Sequence, residues 1–250
     1  MTPFTDPPPP EGRPLRLAAI GDLHVRESHD APYRELFAEI SQRADVLALC
    51  GDLTNFGKTR EAEILADELR AATIPVVAVL GNHDHECDQP EVVKQRLTEV
   101  GVRMLDGGEA FELGGVGFAG CMGSMGGYGR GMLSSFGERY VKTFVEEQVK
   151  ETMKLETGLR MLRTPRAVAV LHYSPVPDTL AGEPPEIFPY LGNSRLAETV
   201  DLFDNVAAVV HGHAHKGAYF GRTPRGVPVY NCAQMVVMAE CGRPYALIEV

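Results

Sequence analysis

Six of the eight histidines in this chain stand at the ends of short apolar runs, beside carboxylates and a carboxamide. Leu15–Ile20 is followed by Gly21-Asp22-Leu23-His24, Val46–Cys50 by Gly51-Asp52, and Ile74–Leu80 by Gly81-Asn82-His83-Asp84. Ala167–Leu171 leads into His172, and Val206–Val210 into His211-Gly212-His213-Ala214-His215. A single histidine is usually a surface residue or a satisfied core residue. Six at the same end of different runs read as a metal site. Carboxylate, carboxamide and imidazole donors without thiolate suit manganese, iron or zinc in a reactive site better than a structural zinc. The donors Asp22, His24, Asp52, Asn82, His172, His213 and His215 exceed what one tetrahedral ion takes. They fit two divalent ions roughly 3.5–4 Å apart that share a bridging carboxylate.

The runs that deliver these residues are short and rich in Val, Ile and Leu, as strands buried on both faces are. Val227–Cys232 and Tyr245–Val250 continue the series. Between the runs, Tyr33–Arg43, Thr59–Ala71, Glu91–Val100 and Ser194–Phe203 carry helical spacing. Alternating strand and helix predict an α/β fold with a mostly parallel central sheet. Gly21, Gly51 and Gly81 recur every thirty residues, about the length of one βαβ unit. In an open sheet of this kind ligands bind outside the carboxyl ends of the strands, so the donors are expected at one shared edge.

Two segments break the rhythm. Gly114–Gly137 is dense in glycine and reads as the end of a hairpin, FELGGVGFAGC, running into a mobile loop that walls the pocket. A single long helix over Glu138–Leu162 is predicted behind it from Val141, Val145, Val149 and Met153 at four-residue steps. This helix is expected to pack on the sheet, with a homodimer surface or a rim over the site as other uses. Ser174–Gly192 holds five prolines and is expected to be an irregular lid over the site. The expected organisation is a flexible proline-rich lead-in over residues 1–14, then one domain over 15–250 with an insertion at about 114–163 and the proline-rich loop at about 174–192.

The ordered motifs GDLH, GD, GNHD, a lone His and GHAH, spanning Gly21 to His215, resemble those of the calcineurin-like metallophosphoesterase superfamily. The resemblance implies a four-layer α/β/β/α sandwich of two mixed sheets flanked by helices. It also implies that Asp22, His24, Asp52 and His215 hold one ion, and that Asp52, Asn82, His172 and His213 hold the second, with Asp52 bridging. The activity implied is hydrolysis of a small phosphodiester or phosphomonoester by a hydroxide that the two ions generate near neutral pH. His83, which the family pattern leaves off the metals, is expected to protonate the leaving oxygen. Asp84 is expected to accept the other ring N–H of His83 and fix its tautomer. Within the superfamily the motifs are most similar to class III bacterial cyclic-nucleotide phosphodiesterases, and similar also to lipid-precursor pyrophosphatases and DNA-repair nucleases.

Composition narrows the partners. Lys+Arg 24 against Asp+Glu 34 gives a net charge of −10, which disfavours binding to a nucleic-acid duplex or an anionic membrane. The nuclease alternative is weakened accordingly, and a small phosphorylated substrate is expected. No apolar stretch approaches the roughly 20 residues of a membrane span. Five scattered cysteines without a CxxC pair argue against a disulfide framework and for a reducing cytoplasm. A catalytically idle metal-binding scaffold is the alternative from another class, although all the motif residues are intact. Arg26, Arg130 and Arg195 are candidate phosphate grips, each with a solvated surface arginine as the simpler reading. His211 is expected to face away from the ions, and Asn231 either supports the metal edge or caps a turn.

Overall fold

The computed structural model describes residues 13–28 and 33–250. The proline-rich lead-in, apart from its last two residues, and His29 lie outside the described residues.

The first half of the chain runs β1 (Arg16–Ile20), α1 (Tyr33–Arg43), β2 (Val46–Cys50), α2 (Thr59–Leu69), β3 (Val76–Val79), α3 (Pro90–Thr98) and β4 (Arg103–Met104). A hairpin follows, β5 (Ala110–Leu113) and β6 (Val116–Cys121), then the long α4 (Arg139–Met161) and β7 (Arg166–Leu171). The remainder is α5 (Phe188–Leu191), α6 (Ser194–Val200), β8 (Val206–His211), β9 (Phe220–Arg222), β10 (Pro228–Asn231), α7 (Gln234–Cys241) and β11 (Ala246–Glu249). A short 3-10 turn spans Asn82–His85.

The strands form two sheets and not one central sheet. The first has the order β11-β1-β2-β3-β4, with β1, β2, β3 and β4 parallel and β11 antiparallel at its edge. The second has the order β5-β6-β7-β8-β10-β9, parallel through β6, β7, β8 and β10, with antiparallel strands at both edges. Side-chain alternation along each strand builds the layers. Leu17 and Ala19 of β1, Val77 and Val79 of β3, and Val168 and Val170 of β7 share the core between the sheets. Ala18 and Ile20 face the other way, onto Phe37 and Ile40 of α1 and Leu65 of α2. Across the second sheet, Ala169 and Leu171 pack on Leu155 and Leu159 of α4 and Leu196 of α6. The result is helix, sheet, sheet, helix: the four-layer sandwich the family resemblance implied. The long helix packs on the second sheet, its simplest expected use.

Both faces of each central strand are covered, so β2 is buried along its whole length. The two sheets present β1, β2, β3, β7 and β8 with their carboxyl ends toward the same edge. No helix among the described residues is long and apolar enough to cross a membrane.

Candidate metal centre

Every expected donor sits on the turn that leaves one of these strands, and several turns hold their backbone in the left-handed region. Asp22 has φ 61, His24 φ 45, Asp52 φ 49 and His213 φ 71; Asp88 is the only other described non-glycine residue with positive φ. Each such residue costs on the order of 1–3 kcal/mol, and strain of this kind concentrates at functional sites. Gly51 enters the β2 turn at φ 81, and a Cβ on it would overlap the His172 ring. That contact explains why the motif begins with glycine.

The donors converge in two overlapping groups. Ligand-type atoms of Asp22, His24, Asp52 and His215 lie within 4.8 Å of one another, and so do those of Asp52, His172 and His213. Asp52 belongs to both. Asn82 joins the second group, with Oδ1 at 3.0 Å from His172 Nε2. His215 Nε2 lies 3.0 Å from Asp22 Oδ1, and His24 Nε2 lies 3.7 Å from Asp52 Oδ2. The Asp22 carboxylate also accepts the backbone N–H of His213 through both oxygens, at 3.1 and 3.0 Å.

The hydrogen-bonding pattern leaves these lone pairs without protons to share. His172 Nδ1 lies 2.9 Å from the Cys50 carbonyl, which can only accept, so Nδ1 carries the proton. Its Nε2 faces two oxygens, Asn82 Oδ1 at 3.0 Å and Asp52 Oδ1 at 3.4 Å. Both ring nitrogens of His24 are buried with no hydrogen-bond partner among the described residues. Among the described residues, Asp22 and Asp52 have histidines as their only ion-pair partners. A buried cluster of unpaired lone pairs and carboxylates is costly unless cations neutralise it. These residues fit divalent metal ions.

Electrostatics agree. Burial pushes the His213 imidazolium down to about 3 and lowers His24, which keeps both rings in the neutral form that ligates. Burial alone would raise the Asp22 carboxyl, but the His215 hydrogen bond and the neighbouring histidines hold it below the usual carboxylate range.

Several residues sit differently from expectation. Asp84 does not touch the His83 ring. Its Oδ1 accepts from Thr54 N at 2.7 Å and Thr54 Oγ1 at 2.6 Å, and its Oδ2 from Leu53 N at 3.1 Å and Gly81 N at 2.8 Å. In a 3-10 turn successive side chains diverge by about 120°, so adjacent residues point apart. The carboxylate instead pins the β2 turn to the β3 turn. The His83 ring is oriented by Asn55, whose carbonyl lies 2.8 Å from Nδ1, and it stands edge-on to His24 with centroids 4.5 Å apart. Asn55, Thr54 and Cys50 act here mainly through backbone groups, which carry no signature in the side-chain sequence.

His211 is fully buried and uses both nitrogens, on Gly212 O at 2.7 Å and Thr179 Oγ1 at 2.9 Å, and so faces away from the cluster as expected. Asn231 does both things expected of it: Nδ2 donates to Ala214 O at 2.8 Å within the GHAH turn, and Oδ1 accepts Ala233 N at 3.1 Å, capping the turn into α7. Arg26 Nε donates to Asn55 Oδ1 at 3.2 Å, beside His83, whereas the Arg195 guanidinium turns toward Leu133 O. The glycine-rich segment is tied to the proline-rich one by Gly126 N to Pro189 O at 2.7 Å and Gly127 N to Gly192 O at 2.9 Å. Together they wall the His213 side, where Tyr190 O lies 3.3 Å from His213 Nε2.

Asp106, beyond β4, steadies the third turn by accepting Leu80 N at 2.7 Å, and its second oxygen is buried without a partner among the described residues. Burial raises its carboxyl to about 7, with the Leu80 bond opposing. The folded protein therefore binds this proton more tightly than the unfolded chain does. Stability is lost as pH climbs from the ordinary aspartate range through about 7. Asp106→Asn keeps an acceptor for Leu80 and removes the charge. In urea unfolding, its stabilisation relative to the parent should be larger at about pH 8.5 than at about pH 5, by on the order of 1–3 kcal/mol. A difference independent of pH would show that the carboxyl titrates normally.

The calcineurin-like phosphoesterase family model matches residues 15–217, which include every donor described above. The chain belongs to this family. It is 35% identical over 96 residues to a protein from Synechococcus sp. named a probable cyclic nucleotide phosphodiesterase, covering 34% of each chain. A probable cyclic nucleotide phosphodiesterase from Moraxella catarrhalis is 34% identical over 76 residues, 28% of this chain and 27% of that one. The matches thus span about a third or less of these curated relatives. In fold, this calcineurin-like phosphoesterase is similar to the phosphopantetheinyl hydrolase of Mycobacterium tuberculosis, with TM-score 0.66 and 17% identity over 95% of this chain and 96% of that one. It is also similar to the protein TT1561 of Thermus thermophilus, with TM-score 0.55 and 16% identity over 94% and 99%.

Proposed function

We propose that the protein hydrolyses a small phosphodiester or phosphomonoester with two divalent ions, one held by Asp22, His24, Asp52 and His215 and the other by Asp52, Asn82, His172 and His213. The observation that carries this reading is the pair of donor groups that overlap at Asp52. The oxygen and imidazole donors suit manganese, iron or zinc. Bound there, the ions supply Lewis-acid polarisation of a phosphoryl oxygen and acidify a water.

The chain's own residues do the rest. The Asn55 carbonyl holds the proton of His83 on Nδ1, so Nε2 is the nitrogen that gains a proton and passes it to the departing oxygen. The backbone N–H of His83 donates to Asp52 Oδ1 at 2.9 Å, which ties the residue to the shared carboxylate. Asp84 fixes the spacing of the β2 and β3 turns, and with it the distance between Asp52 and Asn82. Arg26, whose Nε donates to Asn55 Oδ1, is the candidate guanidinium to fork onto a phosphoryl oxygen.

The test is metal removal. Purified protein stripped with EDTA should lose hydrolysis of bis-p-nitrophenyl phosphate and p-nitrophenyl phosphate, and manganese or another divalent ion should restore it. Metal-loaded protein that turns over neither ester with any of the three metals would leave the idle scaffold as the better account.

A further inference from the structure

Tyr173 follows the donor His172 on the turn that leaves β7, and only 6% of it is exposed. Its backbone N–H donates to Met122 O at 3.0 Å, and a Cβ on Gly123 would come within 3.2 Å of its own Cβ, so the end of β6 clamps it from behind. The ring lies tilted against His213 with centroids 4.4 Å apart, and edge-on to His172 at 5.4 Å. Tyr173 thus borders the second donor group, as His83 borders His24 of the first. Burial, and after it the charge on Asp52, push the phenol up to about 12, so the hydroxyl stands in the field of the carboxylate common to both groups.

A buried tyrosine hydroxyl ordinarily finds a partner. Tyr33 donates to Leu23 O at 2.6 Å, Tyr128 to Ser174 O at 3.1 Å and Tyr245 to Glu39 Oε1 at 2.9 Å. The Tyr173 hydroxyl bonds to none of the described residues, and a buried donor left in that state costs stability unless a bound acceptor meets it. Its chemistry suits an anion held beside cations. A phenol donates without carrying charge, so it adds a directed bond to an oxyanion without repelling the divalent ions that the surrounding donors fit. A lysine or arginine in its place would repel them. Hydrogen bonds to a charged acceptor are also the strong ones.

We propose that the Tyr173 hydroxyl donates a hydrogen bond to an unesterified phosphoryl oxygen of the substrate, on the side of the second donor group, and keeps that bond in the phosphate released from a monoester. The inference rests on the phosphoesterase reading, which supplies the anion. It gives the two flanks of the centre different tasks. His83 serves the departing oxygen, and Tyr173 holds the phosphoryl group that stays.

The test reads binding without turnover. In zinc-loaded protein labelled at the oxygen-bearing ring carbon of tyrosine, inorganic phosphate should shift the Tyr173 resonance saturably. That resonance is assigned by its loss in Tyr173→Phe, and Tyr245, whose hydroxyl is engaged by Glu39, should stay in place. The phenylalanine variant keeps the ring against His213 and loses the hydroxyl alone. Its affinity for phosphate should fall about 10–100-fold, with zinc content and Tm unchanged. Its kcat/KM for p-nitrophenyl phosphate should fall by a similar factor, whereas a ring that only packs on His213 would lose neither. No saturable shift, an affinity within about twofold of the parent, or an unchanged kcat/KM overturns the proposal. Loss of zinc in step with the hydroxyl overturns it too, since Tyr173 would then be a support of the ligands. A Tyr173 shift in a protein that hydrolyses no phosphoester would leave the contact standing and sink the phosphoesterase reading. Hydrolysis without the shift would strike the contact and keep that reading.

Discussion

Asp52→Asn should empty both metal positions together and reduce phosphoester hydrolysis at least about 10³-fold, equivalent to about 4 kcal/mol of transition-state stabilisation. The substitution is nearly isosteric, and asparagine tolerates the left-handed backbone at φ 49 as aspartate does. What changes is charge and donor count. A carboxylate presents an oxygen to each group, whereas a carboxamide turns an NH₂ toward one of them. Because Asp52 is common to both clusters, neither keeps its ligand number. Elemental analysis of the purified variant measures this directly. Thermal unfolding gives a second readout, since an ion bound only by the native state stabilises it by mass action. Added manganese should raise the parent's Tm and leave that of Asp52→Asn nearly unchanged. Retention of one fully occupied position, with its share of the Tm increase, would remove Asp52 from the bridging role.

The donor set is legible because each donor lies one to five residues beyond a buried run, and runs buried on both faces are visible as short stretches rich in Val, Ile, Leu and Ala. Glycine before the acid was a second local mark, required at Gly51 by positive φ and the nearness of His172. The partition of strands into two sheets was not legible from these runs. A strand covered by a helix and a second sheet has the same apolar pattern as one covered by helices on both faces, so only the family resemblance implied the four layers. β4, of two residues, and β9, of three, are too short to leave a period. α7 leaves no helical period in the sequence, because QMVVMAEC has no polar face to set against an apolar one.

The predicted helices also overran their ends. α2 stops at Leu69 and α6 at Val200, where Arg70 and Asp201 serve as the capping residues, although apolar spacing continues through Ala71 and Phe203. Around the site, the missed contributions come from the backbone: Cys50 O orients His172, and Asn55 O orients His83. Asp84 departs from expectation for a related reason. Adjacency in sequence suggested a contact with His83 that a 3-10 turn does not permit, and the carboxylate went to three backbone N–H groups and a threonine hydroxyl.

His83→Ala should lower turnover by roughly 10²–10⁴ while metal content stays near that of the parent. The bond that ties this residue to Asp52 comes from its backbone N–H, which alanine keeps, so the donor groups should survive loss of the ring. The ring's other contacts, with Asn55 O and the edge of His24, orient it without placing it among the donors. The size of the defect should depend on the departing group. A p-nitrophenolate leaves with little help from a proton, whereas an alkoxide such as a ribose hydroxyl needs one, so the variant should be far more impaired on an alkyl or ribosyl ester than on a p-nitrophenyl ester. Equal losses on good and poor leaving groups would argue that His83 stabilises charge without transferring a proton. Metal loss in step with activity would instead make it a ligand.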